Sequence, residues 1–518
     1  MSATQPSTLA EVLAGHAARQ PDRTWLIAPE PGHELGYAGL AAQAGAFARW
    51  TAAQGLPPGT RIALLLPNGV QASLLFLATM NAGHVTVPLN LLSTPAQLVH
   101  CLRHSGAALV FTTRELEPRI AQVLPELAAS GGAPAVHVVD ADSPELPDAP
   151  GAQPAGAPAP QNPALLMYTS GTTGTPKGVP LTHANLLHAA RSVGGWHELG
   201  PDDRVLSALP LYHINGQVIA TVTPFVSGGS IVAPHKFSAS QWWPMAERYR
   251  CTWLNMVPTI IAYLLNSPDG PSAPMPWLRF GRSASAPLPP EHHRAFEERF
   301  GVPIVEAMGM TETASVAFCN PHHPEGRRYG SPGLPCGVEA RVVDERGRPV
   351  PDGTVGEIML RGANIMHAYY DNPEESAKSF DAEGWLHTGD LGFRDAEGYF
   401  KITGRIKELI IKGGENIAPR EIDESLLSHP AVLEAAAVGL PDANYGQEIY
   451  AAVILKPDSD VSPEALRAHC QETLGKYKTP REIRVVDDLP KGPSGKVQRL
   501  KLVDFWHAAE PGRSKSPA

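Results

Sequence analysis

The sequence predicts an α/β chain: a large N-terminal domain of α/β layers with a β-rich subdomain, then a small mobile α+β C-terminal domain. Three observations predict it. At 518 residues the chain is longer than one hydrophobic core usually supports. Its first part alternates short apolar runs with helical segments, the pattern of a largely parallel sheet with crossover helices. From about Gly333 the texture changes to short alternating runs among Gly and Pro turns, and a fresh compact unit begins after Lys407.

Taken in order, Thr8-Leu9-Ala10-Glu11 has capping-box spacing and opens an amphipathic helix to about Gln20. Arg61-Ile62-Ala63-Leu64-Leu65-Leu66 reads as a strand closed by Pro67-Asn68-Gly69, Val70 to Met80 as a helix, and Val85-Thr86-Val87-Pro88 as the next strand. Leu109 to Thr112 and Ala135 to Val139 continue the alternation. Residues 142–163 are rich in Pro and Ala and read as an irregular surface excursion, with a domain boundary as the alternative. The uncharged run 205–234 is broken by Pro, Gly, Asn and Ser, and reads as buried strands and turns rather than a membrane span. Further strands are expected at 230–233, 252–255, 303–306, 338–343 and 357–360. The last unit reads as a strand at Leu409-Ile410-Ile411, a helix from Pro419, strands at 432–438 and 449–455, and a helix from Ser462. The division that follows is 1–405, 406–508 and a polar, disordered tail at 509–518.

Composition narrows the partners. A hydrophobic content of 43% and a charged content of 18% describe an ordinary globular chain. The net charge of −10 argues against nucleic acid, whose phosphates need basic patches. Five scattered cysteines without a C-x-x-C pair read as reduced packing residues. No secretory signal or transmembrane segment is evident, so a cytoplasmic location is expected.

The chemistry centres on Leu165-Leu166-Met167-Tyr168-Thr169-Ser170-Gly171-Thr172-Thr173-Gly174-Thr175-Pro176-Lys177. An apolar strand runs into hydroxyls, glycines and one lysine, a composition that turns backbone N–H groups and side-chain donors toward phosphate oxygens. It is not a Walker loop: two residues separate Gly174 from Lys177, and no hydroxyl follows the lysine. Four other stretches are weaker alone. In Glu306-Ala307-Met308-Gly309-Met310-Thr311-Glu312, a strand-end carboxylate could hold Mg²⁺ on phosphate oxygens. Asp390, in His387-Thr388-Gly389-Asp390, could accept ribose hydroxyls or merely stabilise its turn. Gly404 to Ile417 is dense in charge and glycine and suits a hinge. Lys496, in Gly492-Pro493-Ser494-Gly495-Lys496, is a lysine on a loop tip able to swing into a distant site.

Together, in this order and over nearly the whole chain, the five stretches resemble the acyl-activating, adenylate-forming enzymes: acyl-CoA synthetases, nonribosomal adenylation domains and luciferases. The resemblance implies that a carboxylate attacks the α-phosphate of ATP, giving an acyl-adenylate and pyrophosphate. A thiol, that of CoA or of a carrier-protein phosphopantetheine, then displaces AMP. It implies ATP contacts from Thr169, Ser170, Gly171, Thr172, Thr173, Gly174 and Lys177, from Ser285 and Ala286, and from Glu306, Ala307, Met308, Gly309, Met310 and Thr311. Asp390 matches the ribose-binding aspartate and Arg405 its basic assistant; Glu312 matches the Mg²⁺ ligand. Lys496, with Thr172, His213 and Glu312, takes the catalytic positions, Lys496 bridging carboxylate and phosphate. Lys407 falls at the hinge, and Lys412, Gly413, Gly414 and Glu415 on the loop lining the thiol channel.

For the acid, the resemblance implies a pocket of His213, Asn215, Gly216, Val218, Ser283, Ala284 and Gly309. Phe237-Ser238-Ala239, Thr252-Trp253, Val257-Pro258-Thr259 and Arg282-Ser283 look most like the oxalate–CoA ligases and their relatives, which take small acids. Three positions depart from the pattern. Met308 replaces the tyrosine that usually stacks on adenine, Ala284 a frequent glycine, and Asn215 a second histidine. Arg282 is expected in a structural ion pair, the alternative being a second carboxylate on the substrate.

Overall fold

The computed structural model describes residues 5–169, 176–457, 459–491 and 497–508. The expectations for Ser170, Gly171, Thr172, Thr173, Gly174, Lys496 and the tail 509–518 lie outside the described residues.

The described residues form four sheets. A six-stranded sheet runs in the order Ala135–Val139, Leu109–Thr113, Arg61–Leu65, Val85–Pro88, Pro163–Thr169, Lys177–Thr182. All its pairings are parallel except the last, where Pro163–Thr169 and Lys177–Thr182 form an antiparallel pair around the glycine-rich stretch. Parallel pairing needs a crossover, and Val70–Asn81, Pro95–Ser105 and Glu117–Ala129 provide the helices. The strands before and after residues 142–163 belong to this one sheet, so that stretch is an excursion and not a boundary. It is pinned by the Gln71 amide on the Ser143 carbonyl at 3.0 Å and by Arg49 on Asp148 at 2.9 Å.

A nine-stranded sheet carries Thr24–Ala28, Ser230–Val232, Arg204–Leu206, Trp253–Met256, Phe280–Ser283 and Ile304–Met308 as its parallel centre. Successive side chains alternate between its faces. Trp253, Phe280 and Val305 join the core shared with the six-stranded sheet, while Leu254, Met256 and Ile304 join a second core under Ala239–Arg248 and Pro290–Phe300.

The run 205–234 differs from its reading. Between its two short strands lie a π-helix, Asn215–Val222, and a short α-helix, Thr223–Ser227. An uncharged segment with no clear polar face has no periodicity by which to separate strand from buried helix. The wide turns are supported by Thr221 and Thr223, whose hydroxyls donate to the carbonyls of Gly216 and Val218 at 2.9 and 2.8 Å. The first helix, Leu9–Arg19, is capped by Thr8 accepting from the Glu11 N–H. The Glu11 carboxylate, however, accepts from the Ser7 N–H at 2.6 Å, one residue before the expected partner.

Beyond these layers, Glu339–Val343, Gly356–Arg361, Leu386–Arg394 and Phe400–Arg405 make an antiparallel four-stranded sheet. A five-stranded sheet then begins at Ile410 and is backed by Pro419–Leu427 and Pro463–Lys478, with its own core around Ile410, Ile422, Leu426, Val453 and Leu466. The five cysteines are buried and free of disulfides. Among the described residues no helix is long and apolar enough to cross a membrane.

Candidate active site

A cavity of about 270 Å³ opens where the C-terminal ends of the central parallel strands meet the last unit. Open α/β sheets bind ligands at this end because loops and unpaired backbone groups converge there. Its walls are Ser285 to Pro289 after Phe280–Ser283, Glu306 to Gly309 at the end of Ile304–Met308, Asp390 and Arg405 from the four-stranded sheet, and Glu408, Arg420, Asp423 and Arg499 beyond.

Asp390 and Arg405 face each other across paired strands. Arg405 Nε donates to Asp390 Oδ1 at 2.8 Å, and the carboxylate raises the arginine's proton affinity further. Asp390 is buried and its N–H donates to the Thr388 hydroxyl at 3.0 Å. Gly389 takes φ +69, a conformation that favours glycine.

Gly309 marks a close crossing of backbone. A Cβ there would lie 2.0 Å from the Ser315 carbonyl oxygen, so only glycine lets Met308 and Met310 pass at this depth. Met308 is half-buried and lines the cavity where the sequence pattern lacks its aromatic ring. Glu306 is buried, with Oε1 accepting from the Leu288 N–H at 3.3 Å. Among the described residues Glu306 Oε2 has no hydrogen-bond partner. Burial pushes this carboxyl up to about 7, against the opposing pull of Arg420.

Glu312 is buried, and Tyr369 Oη donates to its Oε1 at 2.8 Å. Lys177 forms an ion pair with Glu375, and its ammonium lies 5.1 Å from the Tyr369 ring centroid. Lys177 and Glu312 thus meet around Tyr369. Neither Tyr369 nor Glu375 was signalled in the sequence, since no spacing links Tyr369 to Glu312, 57 positions away, or Glu375 to Lys177, 198 positions away.

The acid-pocket residues divide. Asn215 begins the π-helix, donates to Ser285 Oγ at 3.1 Å and accepts from Asn255 Nδ2 at 3.1 Å. Ser285 has φ +76, rare for a residue with a side chain and characteristic of functional loops. His213 packs its ring 4.9 Å from that of Tyr212 at the start of the same segment. Gly216 lets the segment press on residue 210, since a Cβ would meet the Pro210 carbonyl oxygen at 2.5 Å. Val218 and Ala284 are buried in the core, and Ser283 faces the opposite side of its strand. Asn255 opens the stretch 255–259, whose packing the sequence ties to pocket depth, but its bond to Asn215 had no motif to announce it.

Among the described residues the expected ion pair of Arg282 is not formed. The side chain is fully buried, and among the described residues no acceptor bonds its Nε, Nη1 or Nη2. In the last unit Lys412 is buried, donating to the Tyr477 carbonyl at 2.9 Å and pairing with Glu448 at 2.5 Å. Gly413, Gly414 and Glu415 are exposed on the turn beside it, and Lys407 is exposed in the 3₁₀ turn Ile406–Glu408.

Comparison with known proteins agrees with this geometry. Residues 13–370 match the AMP-binding enzyme family and residues 421–496 the AMP-binding enzyme C-terminal domain. The chain belongs to the AMP-binding enzymes. It is 55% identical over 501 residues to a sulfoacetate–CoA ligase of Cupriavidus necator, covering 96% of this chain and 97% of that one. It is 36% identical over 472 residues to an oxalate–CoA ligase of Arabidopsis thaliana, covering 88% and 90%. The structure of ATP-bound MatB from Rhodopseudomonas palustris superimposes with a TM-score of 0.87 at 32% identity, covering 96% of this chain and 99% of that one. The chain is an AMP-forming acid–thiol ligase, an acyl-CoA synthetase that consumes ATP, a carboxylic acid and CoA.

Proposed function

We propose that the acid is a short one bearing a second anionic group, with sulfoacetate the foremost candidate. The observation that carries this reading is the 55% identity, spread over 96% of the chain, to a sulfoacetate–CoA ligase. The polar chain Asn255–Asn215–Ser285 beside the nucleotide cavity supports it, because a long-chain or aromatic acid would need an apolar channel in that place.

In the first step the substrate carboxylate attacks the ATP α-phosphorus and the bond to the β,γ-diphosphate breaks, leaving acyl-AMP and pyrophosphate. In the second, the CoA sulfur attacks the acyl carbon and AMP leaves. Two anions must approach in the first step, so cations decide its rate. Lys177, Arg405 and, on the proposed assignment, Lys496 offset that repulsion. Asp390 takes the ribose hydroxyls, with Arg405 fixing its orientation.

Glu312 suits Mg²⁺. It is a buried carboxylate with one oxygen anchored by Tyr369, as a hard cation held jointly with phosphate oxygens requires. When bound, the ion supplies charge neutralisation at the phosphates. Rotation of the last unit about Lys407 would withdraw Lys496 and open the way for the thiol along Gly413 to Glu415. A carrier-protein thiol is the alternative acceptor.

The test is acid-dependent AMP release with CoA present, run from oxalate, malonate and sulfoacetate through aromatic and long-chain acids, with the thioester identified by mass. Sulfoacetate should give the highest kcat/KM and sulfoacetyl-CoA as product. A maximum at an aromatic or long-chain acid would refute the reading.

A further inference from the structure

The nine-stranded sheet carries a buried cation, Arg282, that has no hydrogen-bond partner among the described residues. Arg282 lies third in the strand Phe280–Ser283, directly opposite Asn255 on one neighbouring strand and Val305 on the other. Strand alternation puts it on the same face as Phe280, Trp253, Val305 and Ala307, the face packed under the π-helix that begins at Asn215. Gly281 and Ser283 belong to the other face, where a Cβ on Gly281 would meet Met256 and Ile304. The position is therefore defined on three sides. Asn255 beside it bonds Asn215, Ala307 one pleat along lines the nucleotide cavity, and Ser285 three residues on closes that cavity.

A guanidinium cannot shed its proton in a protein. Burying one uncompensated is strongly unfavourable. Arg282 is 0% exposed, and among the described residues none of its three nitrogens has a hydrogen-bond partner. Yet the surrounding side chains could have been apolar throughout, as Trp253, Phe280, Val305 and Val218 are. A buried cation at this position is explained if an anion arrives from outside.

Resting on the reading of the acid as a short one with a second anionic group, we propose that Arg282 binds that distal group, sulfonate or carboxylate, and so selects the substrate. The guanidinium fork offers two parallel donors that match either anion. Asn255 and Asn215 stand between Arg282 and Ser285, so the reacting carboxylate is left at the nucleotide end. An acid of the same size without the second charge would leave Arg282 buried and unpaired, and sites built that way reject the analogue by about 10⁴–10⁵.

The rival partner within the chain is Cys319, paired in register with Ala307 on the next strand. The Cys336 thiol, then His197 and the Arg282 charge, hold the Cys319 thiol well below the usual thiol range, against its burial. No nitrogen of Arg282 bonds its sulfur, and Cys336 and His197 act on Cys319 more strongly.

The experiment compares wild type, Arg282→Met and Arg282→Lys on sulfoacetate, malonate and propionate, by CoA-dependent AMP release, with thermal melts of each. Arg282→Met should lower kcat/KM for sulfoacetate and malonate by about 10³ or more, while propionate changes by less than about tenfold. Arg282→Lys, which keeps the charge but loses the fork, should fall between. Sulfoacetate losing much more than malonate would identify a sulfonate site, and the reverse a carboxylate site. Equal losses on all three acids, or a lowered melting temperature with unchanged selectivity, would make Arg282 a structural partner of Cys319 and overturn the proposal. If Arg282→Met does not fold, unchanged selectivity in Arg282→Lys overturns it equally. A wild type that prefers propionate to both dianions refutes the reading of the acid itself, and this inference with it, before any substitution is made.

Discussion

At the scale of single residues, chemistry and environment pull apart at two positions. Glu306 and Arg282 are both buried and both ionisable; the sequence singles out each as a candidate site residue but does not show that either is buried. A strand-end glutamate is ordinarily solvated, and a strand arginine ordinarily finds a carboxylate; burial and partnering are properties of the fold. Glu306 has a measurable consequence. Desolvation raises its carboxyl from 4.5 to about 7. The folded state therefore binds this proton more tightly than the unfolded state, so the group favours folding below pH 4.5 and that contribution is lost as pH rises through about 7. Glu306→Gln should flatten this part of the stability profile, raising the melting temperature at pH 8 more than at pH 5. An equal change at both pH values would show that Glu306 does not titrate in this window.

At the scale of elements, the alternating strands and helices were legible because their periodicities differ and their ends carry turn residues. The capping sequence at Thr8 and the helix from Val70 are examples. The segment 215–227 was not legible, because an uncharged run without a clear polar face has the same composition in a strand and in a buried helix. That loss matters for the site, since Asn215 reaches both Asn255 and Ser285 from the first residue of a π-helix, a distortion frequent at functional positions. Gly309 shows the reverse case: the motif names the glycine and the fold gives the reason. Gly309→Ala would drive a methyl into the Ser315 carbonyl. The strain should cost about 1–3 kcal/mol, the usual range for overpacking, and slow adenylation by displacing Met308 and Met310. Denaturant unfolding together with pyrophosphate exchange checks both, and wild-type values in each would mean that the crossing is looser than it stands here.

At the scale of the whole molecule, the site is composite. Ser285, Glu306 and Asp390 come from the large body, while Glu408, Arg420 and Arg499 line the same cavity from the end of the chain. The order and spacing of the five stretches made this composite site legible as a resemblance, although no single stretch could give it. The partners that hold it, Tyr369 to Glu312 and Glu375 to Lys177, join residues far apart in sequence and appear only on folding. Removing Lys496 should abolish adenylation by about 10²–10³ in rate and leave thioester formation from supplied acyl-adenylate near wild type. Equal loss of both steps would contradict a lysine that serves the first step alone.

The central claim is that this acyl-CoA synthetase adenylates the carboxylate of a short acid that it selects by a second anionic group. ATP–pyrophosphate exchange without CoA tests it most directly, because exchange isolates the first step from thiol transfer. Sulfoacetate should drive exchange at least about 10³ better than propionate, the discrimination expected of a buried charge that only the dianion satisfies. Exchange driven equally by the two acids, or by propionate alone, would contradict the account.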